Sequence, residues 1–585
     1  MKFLSNVLSV VVGLFVFSVL GFFFIAGLIA IAASGDKVSV EENSLLFLNL
    51  EGKNIVERTA EDDLDFSAFP GFGPPPSVGL VQLKRAIASA AENDKIKGIY
   101  LRAGFPVSGQ ATLRELRESL EKFKQSGKFI VAYGEYYSEG GYYLSSVASE
   151  VYLNPQGMLE LNGLASEGIF LKGLFEKIGV EPQIFRVGDF KSAVEPFLLD
   201  KMSEESRLQT QAYLNEMNRV IVESVATSRN MEMETVMDIS NKMLVKVAKD
   251  ALDLKLVDGL WYDDQVMDLL REKLELKEDV KIKTINVTNL NQATPSKNRL
   301  SKNRVAVLFA EGEIVGGRDE RQISSEHFLQ EIRKLKKNKD IKAVVLRINS
   351  PGGSALASEV IWRELMELKE EKTLVASMSD LAASGGYYIA AAADEIFAQP
   401  NTLTGSIGIY GVWFNAKELL NQKMGITTDV VKTGELSDFP SLFRSMRPEE
   451  AAIYQQIVED GYDTFVTRVA DGREMPKSEV MNIASGRVWS GQQAHSNGLV
   501  DQLGTLEDAV GWATKEAGIA DDFRVVYYPE QKSWIEQLLS DLSRDVQSAY
   551  HSYKLGVPVE IWNQWERLKK MEGPVARMPY FLEIR

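Results

Sequence analysis

The sequence predicts an α/β chain of two tandem domains, each built from stacked β-α units, behind an apolar N-terminal helix. A long internal repeat is the first ground for this. Tyr137-Ser138-Glu139-Gly140-Gly141-Tyr142-Tyr143-Leu144 matches Ala382-Ala383-Ser384-Gly385-Gly386-Tyr387-Tyr388-Ile389 at an offset of 245 residues (384 − 139). The same offset relates Ile96–Arg102 to Ile341–Arg347. So long a shared offset marks a duplicated domain, not a short-repeat solenoid. The second ground is alternation: short apolar runs broken by glycine turns are interleaved with segments of helical spacing, the pattern of largely parallel β-α units. The third is length, since 585 residues exceed what one hydrophobic core usually serves.

Taken in order, the first 37 residues read as a membrane anchor. Val7 to Ala33 carries no charge, and a bilayer crossing needs roughly 20 apolar residues. A secretory signal has a shorter apolar region, about 7–15 residues, so we read one uncleaved anchor, although Ala30-Ile31-Ala32 resembles a cleavage site. Lys2 precedes the span, which places the N-terminus inside and residues 38–585 outside. Residues 38–285 form the first domain, opening on the strand Ser44–Leu50, with a Gly/Pro/Phe loop at Phe66–Pro76. The polar stretch 286–303 reads as a linker and 304–522 as the second domain. In that second copy Lys342–Ile348, Thr373–Met378 and Glu395–Ala398 read as strands, and Ala355–Leu368 and Tyr387–Ala393 as helices. Residues 523–585 read as a helical extension, with Trp534–Leu555 amphipathic.

Composition narrows the function. A net charge of −16 argues against a nucleic-acid partner and against adsorption to anionic lipid. There are no cysteines, which removes disulfides, thiol nucleophiles and thiolate-bound metals. The three histidines, His327, His495 and His551, have no metal-ligand spacing and stand apart from the glycine turns. No metal and no cofactor is expected.

The chemistry lies in what each copy lacks. Glu139 stands where the second copy has Ser384, and Ser437 stands where the first copy has Lys191. One copy kept a serine and the other a lysine, the pattern of a single Ser/Lys site shared between halves. Ser384 falls between a strand and a helix, whose N-terminus favours negative charge. Gly385 and the turn Ser350-Pro351-Gly352-Gly353-Ser354 offer backbone N–H donors for an oxyanion. The first copy has Ala103-Gly104-Phe105-Pro106 there instead. A serine hydroxyl needs a base, and a desolvated lysine serves when burial keeps it neutral. Ser406 in Thr404-Gly405-Ser406-Ile407-Gly408 is positioned either to orient the amine or to bond its own backbone.

The chain resembles the signal peptide peptidase A, or protease IV, family in its long duplicated form. The resemblance rests on Ser350–Gly353, Ala383–Tyr388, Leu403–Gly408, Lys191–Phe197 and Gly486–Gly491, with Phe190 departing from the tyrosine that relatives often carry. It implies the fold shared with Clp protease and crotonase, with Ser384 as nucleophile, Lys191 as general base, Ser406 as its orienting partner, and the amides of Gly353 and Gly385 as the oxyanion hole. It also implies a homotetramer on the outer face of the inner membrane, in the periplasm, cleaving leftover signal peptides and other unfolded or membrane-associated peptides. The alternatives are a crotonase-like enzyme acting on CoA thioesters and a catalytically dead membrane scaffold.

Overall fold

The structure, a computed structural model, describes residues 38–59, 77–278, 280–294, 300–531 and 573–578, with seven scattered positions between Val12 and Gly21. The expected anchor at 1–37 otherwise lies outside the described residues, as do the Phe66–Pro76 loop and the Trp534–Leu555 segment. Among the described residues, no helix is long and apolar enough to cross a membrane.

The first half opens on β1 (Ser44–Asn49), followed by a small parallel pair, β2 (Asn54–Val56) and β3 (Ser77–Gly79). Then come β4 (Ile96–Arg102), β5 (Phe129–Tyr137), β6 (Glu150–Leu159), β7 (Glu181–Arg186), β8 (Gly259–Leu260) and β9 (Lys283–Ile285). Six of these make a parallel sheet in the order β8-β6-β5-β4-β1-β9. The second half supplies β10 (Arg304–Glu311), β11 (Ile314–Val315), β12 (Ile323–Ser324), β13 (Ile341–Ser350), β14 (Gly352–Ser354), β15 (Thr373–Ala383) and β16 (Glu395–Ala398). It continues with β17 (Leu403–Gly405), β18 (Tyr410–Asn415), β19 (Val488–Ser490), β20 (Gln502–Leu503) and β21 (Arg524–Tyr528). The path β20-β16-β15-β13-β10-β21 repeats the order of the first sheet strand for strand, so the sequence duplication is a duplication of topology. Both sheets are apolar on two faces, as parallel sheets covered by helices must be: Leu45, Leu46, Ile99 and Leu101 are fully buried in one, and Val305, Leu308, Val345 and Leu346 in the other.

Three boundaries differ from the sequence reading. Val287–Ala293, inside the expected linker, is a helix whose Leu290 belongs to the first core. β21 joins the second sheet, so that body runs past residue 522; the run Val525-Val526-Tyr527-Tyr528 has the β-branched and aromatic character of a strand. The described part of the expected helical extension is also extended chain, β22 (Gly573–Arg577), flanked by β14 and β18.

Among the contacts that join the halves, two are extensive. A third sheet runs β12-β11-β14-β22-β18-β7, so β7 of the first half pairs antiparallel with β18 of the second, from Glu181↔Asn415 to Arg186↔Tyr410. Beneath it Arg347, fully buried, bonds Glu57 at 2.9 Å and Glu115 at 2.8 Å across the junction. Ser377 and Ser379 accept from the same guanidinium. Glu115 also meets Lys84 at 2.7 Å, and Lys84 reaches Glu507 of the second half. Burial alone would push the Glu115 carboxyl up; Arg347 and Lys84 reverse that and hold it at about 2.

Candidate active site

The β7–β18 pairing carries the first half's lysine into the second half. Val187 N–H continues the ladder onto the Ile409 carbonyl at 3.3 Å, and the chain then turns through Gly188, whose added β-carbon would strike the Ser485 carbonyl. Phe190 N–H donates to that same carbonyl at 3.1 Å. Gly486 closes over the lysine: a β-carbon there would lie 2.6 Å from Lys191 Cβ, and its φ of 78° is open to glycine at little cost. Gln209, on the helix Glu204–Arg229, fastens the segment from the other side. Its amide donates to the Phe190 carbonyl at 3.1 Å and to Ser192 Oγ at 2.8 Å, while its oxygen accepts Val488 N–H at 3.0 Å.

Ser384 is the single residue between β15 and the helix Gly385–Ala390; no break separates them. It holds φ 55° and ψ −115°, a conformation that costs a non-glycine residue on the order of 1–3 kcal/mol. The site over-determines it: Ser384 N–H donates to the Gly405 carbonyl at 2.7 Å, and its own carbonyl accepts Tyr388 N–H at 2.8 Å. Ser406, also at positive φ (49°), is held by its N–H on the Arg487 carbonyl at 2.7 Å.

These elements converge. Lys191 Nζ lies 2.8 Å from Ser384 Oγ, 3.0 Å from Ser406 Oγ and 3.0 Å from the Ser406 carbonyl. All three residues are 0 % exposed. Among the described residues no carboxylate pairs with Lys191, and burial alone holds its amine well below the usual lysine range. A buried neutral amine with both hydrogens spent on Ser406 has its lone pair left for the serine proton.

Ser350–Ser354 is not the open turn that its glycines suggest. Gly352–Ser354 forms β14, at φ 92° and 159° for the two glycines, and Ser350 Oγ ties the bend by accepting Gly352 N–H at 3.1 Å. Side chains are excluded there because a β-carbon on Gly353 would strike the Ile314 carbonyl, and one on Gly352 would lie 2.6 Å from Gly385 N. Gly352 thus packs directly against the Gly385 amide, the residue that follows Ser384.

The vacated positions fare otherwise. Glu139 begins the helix Glu139–Ser145 in the first half, its carboxyl pushed up to about 7 by burial against the opposing backbone donors of Asn162 and Gly163. Ser437 is exposed on the surface of the second. Glu139→Ala and Ser437→Ala are each expected to leave kcat/KM for a short peptide at the wild-type value, checked by steady-state kinetics on the folded variants. Sequence reasoning named Ser384, Lys191, Ser406, Gly353 and Gly385; it did not name Gln209, whose role depends on contacts between distant segments and leaves no local motif.

Comparison with known proteins identifies the family. The Peptidase family S49 model matches residues 122–277 and again 366–520, once in each half, and the Clp protease model matches 296–404. Protease 4 of Haemophilus influenzae is 34% identical, over 96% of this chain and 95% of its own length. Protease 4 of Salmonella typhi is 35% identical over 80% of this chain and 77% of its own. The chloroplastic serine protease SPPA of Arabidopsis thaliana is 32% identical over 86% and 74%. With its duplicated Clp-protease-like α/β fold, the chain belongs to peptidase family S49, among the protease IV proteins, and is a serine peptidase rather than a thioester enzyme.

Proposed function

We propose that the chain is a membrane-anchored serine endopeptidase in which Ser384 is the nucleophile and Lys191 the general base. One observation carries the reading: the Lys191 amine, buried without a counter-charge, lies 2.8 Å from Ser384 Oγ. In the reaction Ser384 Oγ attacks the peptide carbonyl carbon and its proton passes to Lys191 Nζ. Ser406 fixes the amine through two contacts, so its lone pair is aimed before substrate arrives. The amides of Gly353 and Gly385 stabilise the oxyanion, which needs no reorganisation because backbone fixes both donors. Lys191 then protonates the leaving amine, and the same groups activate a water to release the acyl chain.

The substrate class we propose is leftover signal peptides and other unfolded or membrane-associated peptides. Two features support it: the uncharged N-terminal run Val7–Ala33, and a site bordered by strands that accept an extended main chain. Assembly as a homotetramer in the inner membrane, facing the periplasm, belongs to the same proposal and rests on the family resemblance.

The pH dependence of peptide hydrolysis tests the base. Only the neutral amine accepts the proton, so activity is expected to rise with pH along one ionisation lying below that of free lysine, about 10.4. Replacing His327, His495 and His551 together is expected to leave that profile unchanged. A profile that moved in the triple variant would assign the base to histidine instead.

A further inference from the structure

The duplication carries its own control for a second site. Ser384 follows the C-terminal end of β15. In the first half, at the opposite, N-terminal ends of β4, β5 and β6, lies a surface cavity of 610 Å³. Lys97, Lys124, Lys128 and Ser149 line it, and Asp94 is the one acid in its wall. The three amines donate to main-chain carbonyls: Lys97 to Asp94 at 2.9 Å, Lys124 to Val147 at 2.8 Å, and Lys128 to Ala90 and Asn93 at 2.7 Å each. Among the described residues none of the three pairs with a carboxylate. An ammonium has three hydrogens, so each lysine keeps at least one to donate. Ser149 Oγ accepts Ile130 N–H at 3.2 Å and keeps its own hydrogen as well.

In the second half the same strand ends are neutralised. Lys342, Lys369 and Asp394 stand 245 residues after Lys97, Lys124 and Ser149. Lys372 repeats the part of Lys128, donating to the Asn338 and Ile341 carbonyls. Asp394 and Ser149 also share a structural task, since Asp394 accepts Leu374 N–H at 2.8 Å. The carboxylate does one thing more: it pairs with Lys369 at 3.1 Å. The first half therefore keeps the backbone bond and drops the counter-charge. Burial holds the Lys124 and Lys128 amines below the ordinary lysine range, and the like charges of Arg117 and Lys97, respectively, add to it. A bound anion would offset that cost.

Position says what the cavity meets. Val38 and Val40 pack against the first core. The Val40 carbonyl accepts from Lys95 Nζ at 3.3 Å, two residues before Lys97, and Glu42 pairs with the same amine at 3.2 Å. The uncharged N-terminal run ends at Ala33, five residues before Val38, and five residues span at most about 18 Å. A bilayer crossed by that run therefore ends close to this face. The chain as a whole carries −16, so attraction to an anionic surface has to be local, as screening beyond about 8 Å permits.

We propose that this cavity binds the phosphate of an anionic phospholipid headgroup through Lys97, Lys124, Lys128 and the Ser149 hydroxyl. The inference rests on the membrane-anchored reading of the N-terminal run. The lysines donate to the phosphate oxygens, and the Asp94 carboxylate accepts from the hydroxyls of a glycerol headgroup. The bound lipid gives the catalytic body a second attachment beside the anchor and fixes its orientation on the bilayer.

The test takes the full-length protein into a non-ionic detergent and titrates it with short-chain phosphatidylglycerol, bound lipid being counted by native mass spectrometry. The wild type should retain one phosphatidylglycerol per chain in preference to phosphatidylcholine of the same acyl length. Lys97 and Lys124 are exposed, so Lys97→Gln with Lys124→Gln should fold normally and bind about 25-fold more weakly, a factor of about five for each cation. Ser149→Asp should weaken binding at least about fivefold, because it gives Lys124 the partner that Lys369 has. Lys342→Gln with Lys369→Gln, the same loss of charge in the second half, should bind as the wild type does. Peptide hydrolysis should stay at the wild-type rate in all of these variants. Equal retention of both lipids, or retention unchanged in the first-half variants, would overturn the inference and leave the anchor standing. Inorganic phosphate that displaced the lipid at equal concentration would assign the site to free phosphate and overturn it too. A full-length chain that stayed in solution without detergent would remove the anchor, and the inference with it.

Discussion

Replacing Ser384 by alanine is expected to reduce kcat for peptide hydrolysis by about 10⁴-fold or more, with the fold intact, and Lys191→Ala should come close to the same loss. The two act on one proton transfer, so their effects do not add: the double variant should be scarcely worse than either single one. The residual rate would come from the Gly353 and Gly385 amides, which neither substitution touches. Lys191→Ala also leaves a cavity between Ser384 Oγ, Ser406 and Gly408. Circular dichroism and gel filtration on the variant therefore accompany the kinetics. A Lys191→Ala enzyme that kept most of its turnover would remove the lysine from the mechanism.

The second large effect is expected away from the chemistry. Arg347→Ala strips the cation from between Glu57 and Glu115, two carboxylates of the first half that are 3 % and 1 % exposed. Deleting one partner of a buried ionic network leaves uncompensated charge and costs about 3–5 kcal/mol. The consequence reaches the site because Lys191 and Ser384 belong to different halves. If the junction loosens, the 2.8 Å contact between them is among the interactions that depend on it. Denaturant unfolding should show the lost stability, and kcat should fall in native buffer although no reacting group has changed. Lowering pH is expected to act on the same network. The Glu115 pKa is depressed in the folded state, so its contribution is complete above the unfolded value of a glutamate, about 4.3, and is lost as pH falls toward 2.

The sequence made the duplication legible because the offset of 245 residues survives from β4/β13 through the helices Glu139–Ser145 and Gly385–Ala390. Ser384 could be read off that register, and Lys191 off one shifted by a residue (437 − 191 = 246), by asking which copy had lost which group. What stayed hidden depends on non-local pairing. Gly352-Gly353 has the composition of a turn, and only the neighbouring β11 and β22 make it a strand. Gln209 looks like any polar helix residue until Phe190 and Val488 are brought to it. Arg347 occupies the same register as Arg102, yet Arg102 pairs with the half-exposed Glu51 while Arg347 is sealed between halves. Gly573–Arg577 lies more than 150 residues from either of its strand partners, with no alternation long enough to announce a strand.

The most direct measurement of the central claim is covalent labelling of the full-length protein by a fluorophosphonate, mapped by peptide mass and timed across pH. The account predicts one modified residue, Ser384, with a labelling rate that climbs with pH in step with peptide hydrolysis and collapses in Lys191→Ala. Labelling at another serine, or at Ser384 with equal speed in Lys191→Ala, would contradict it.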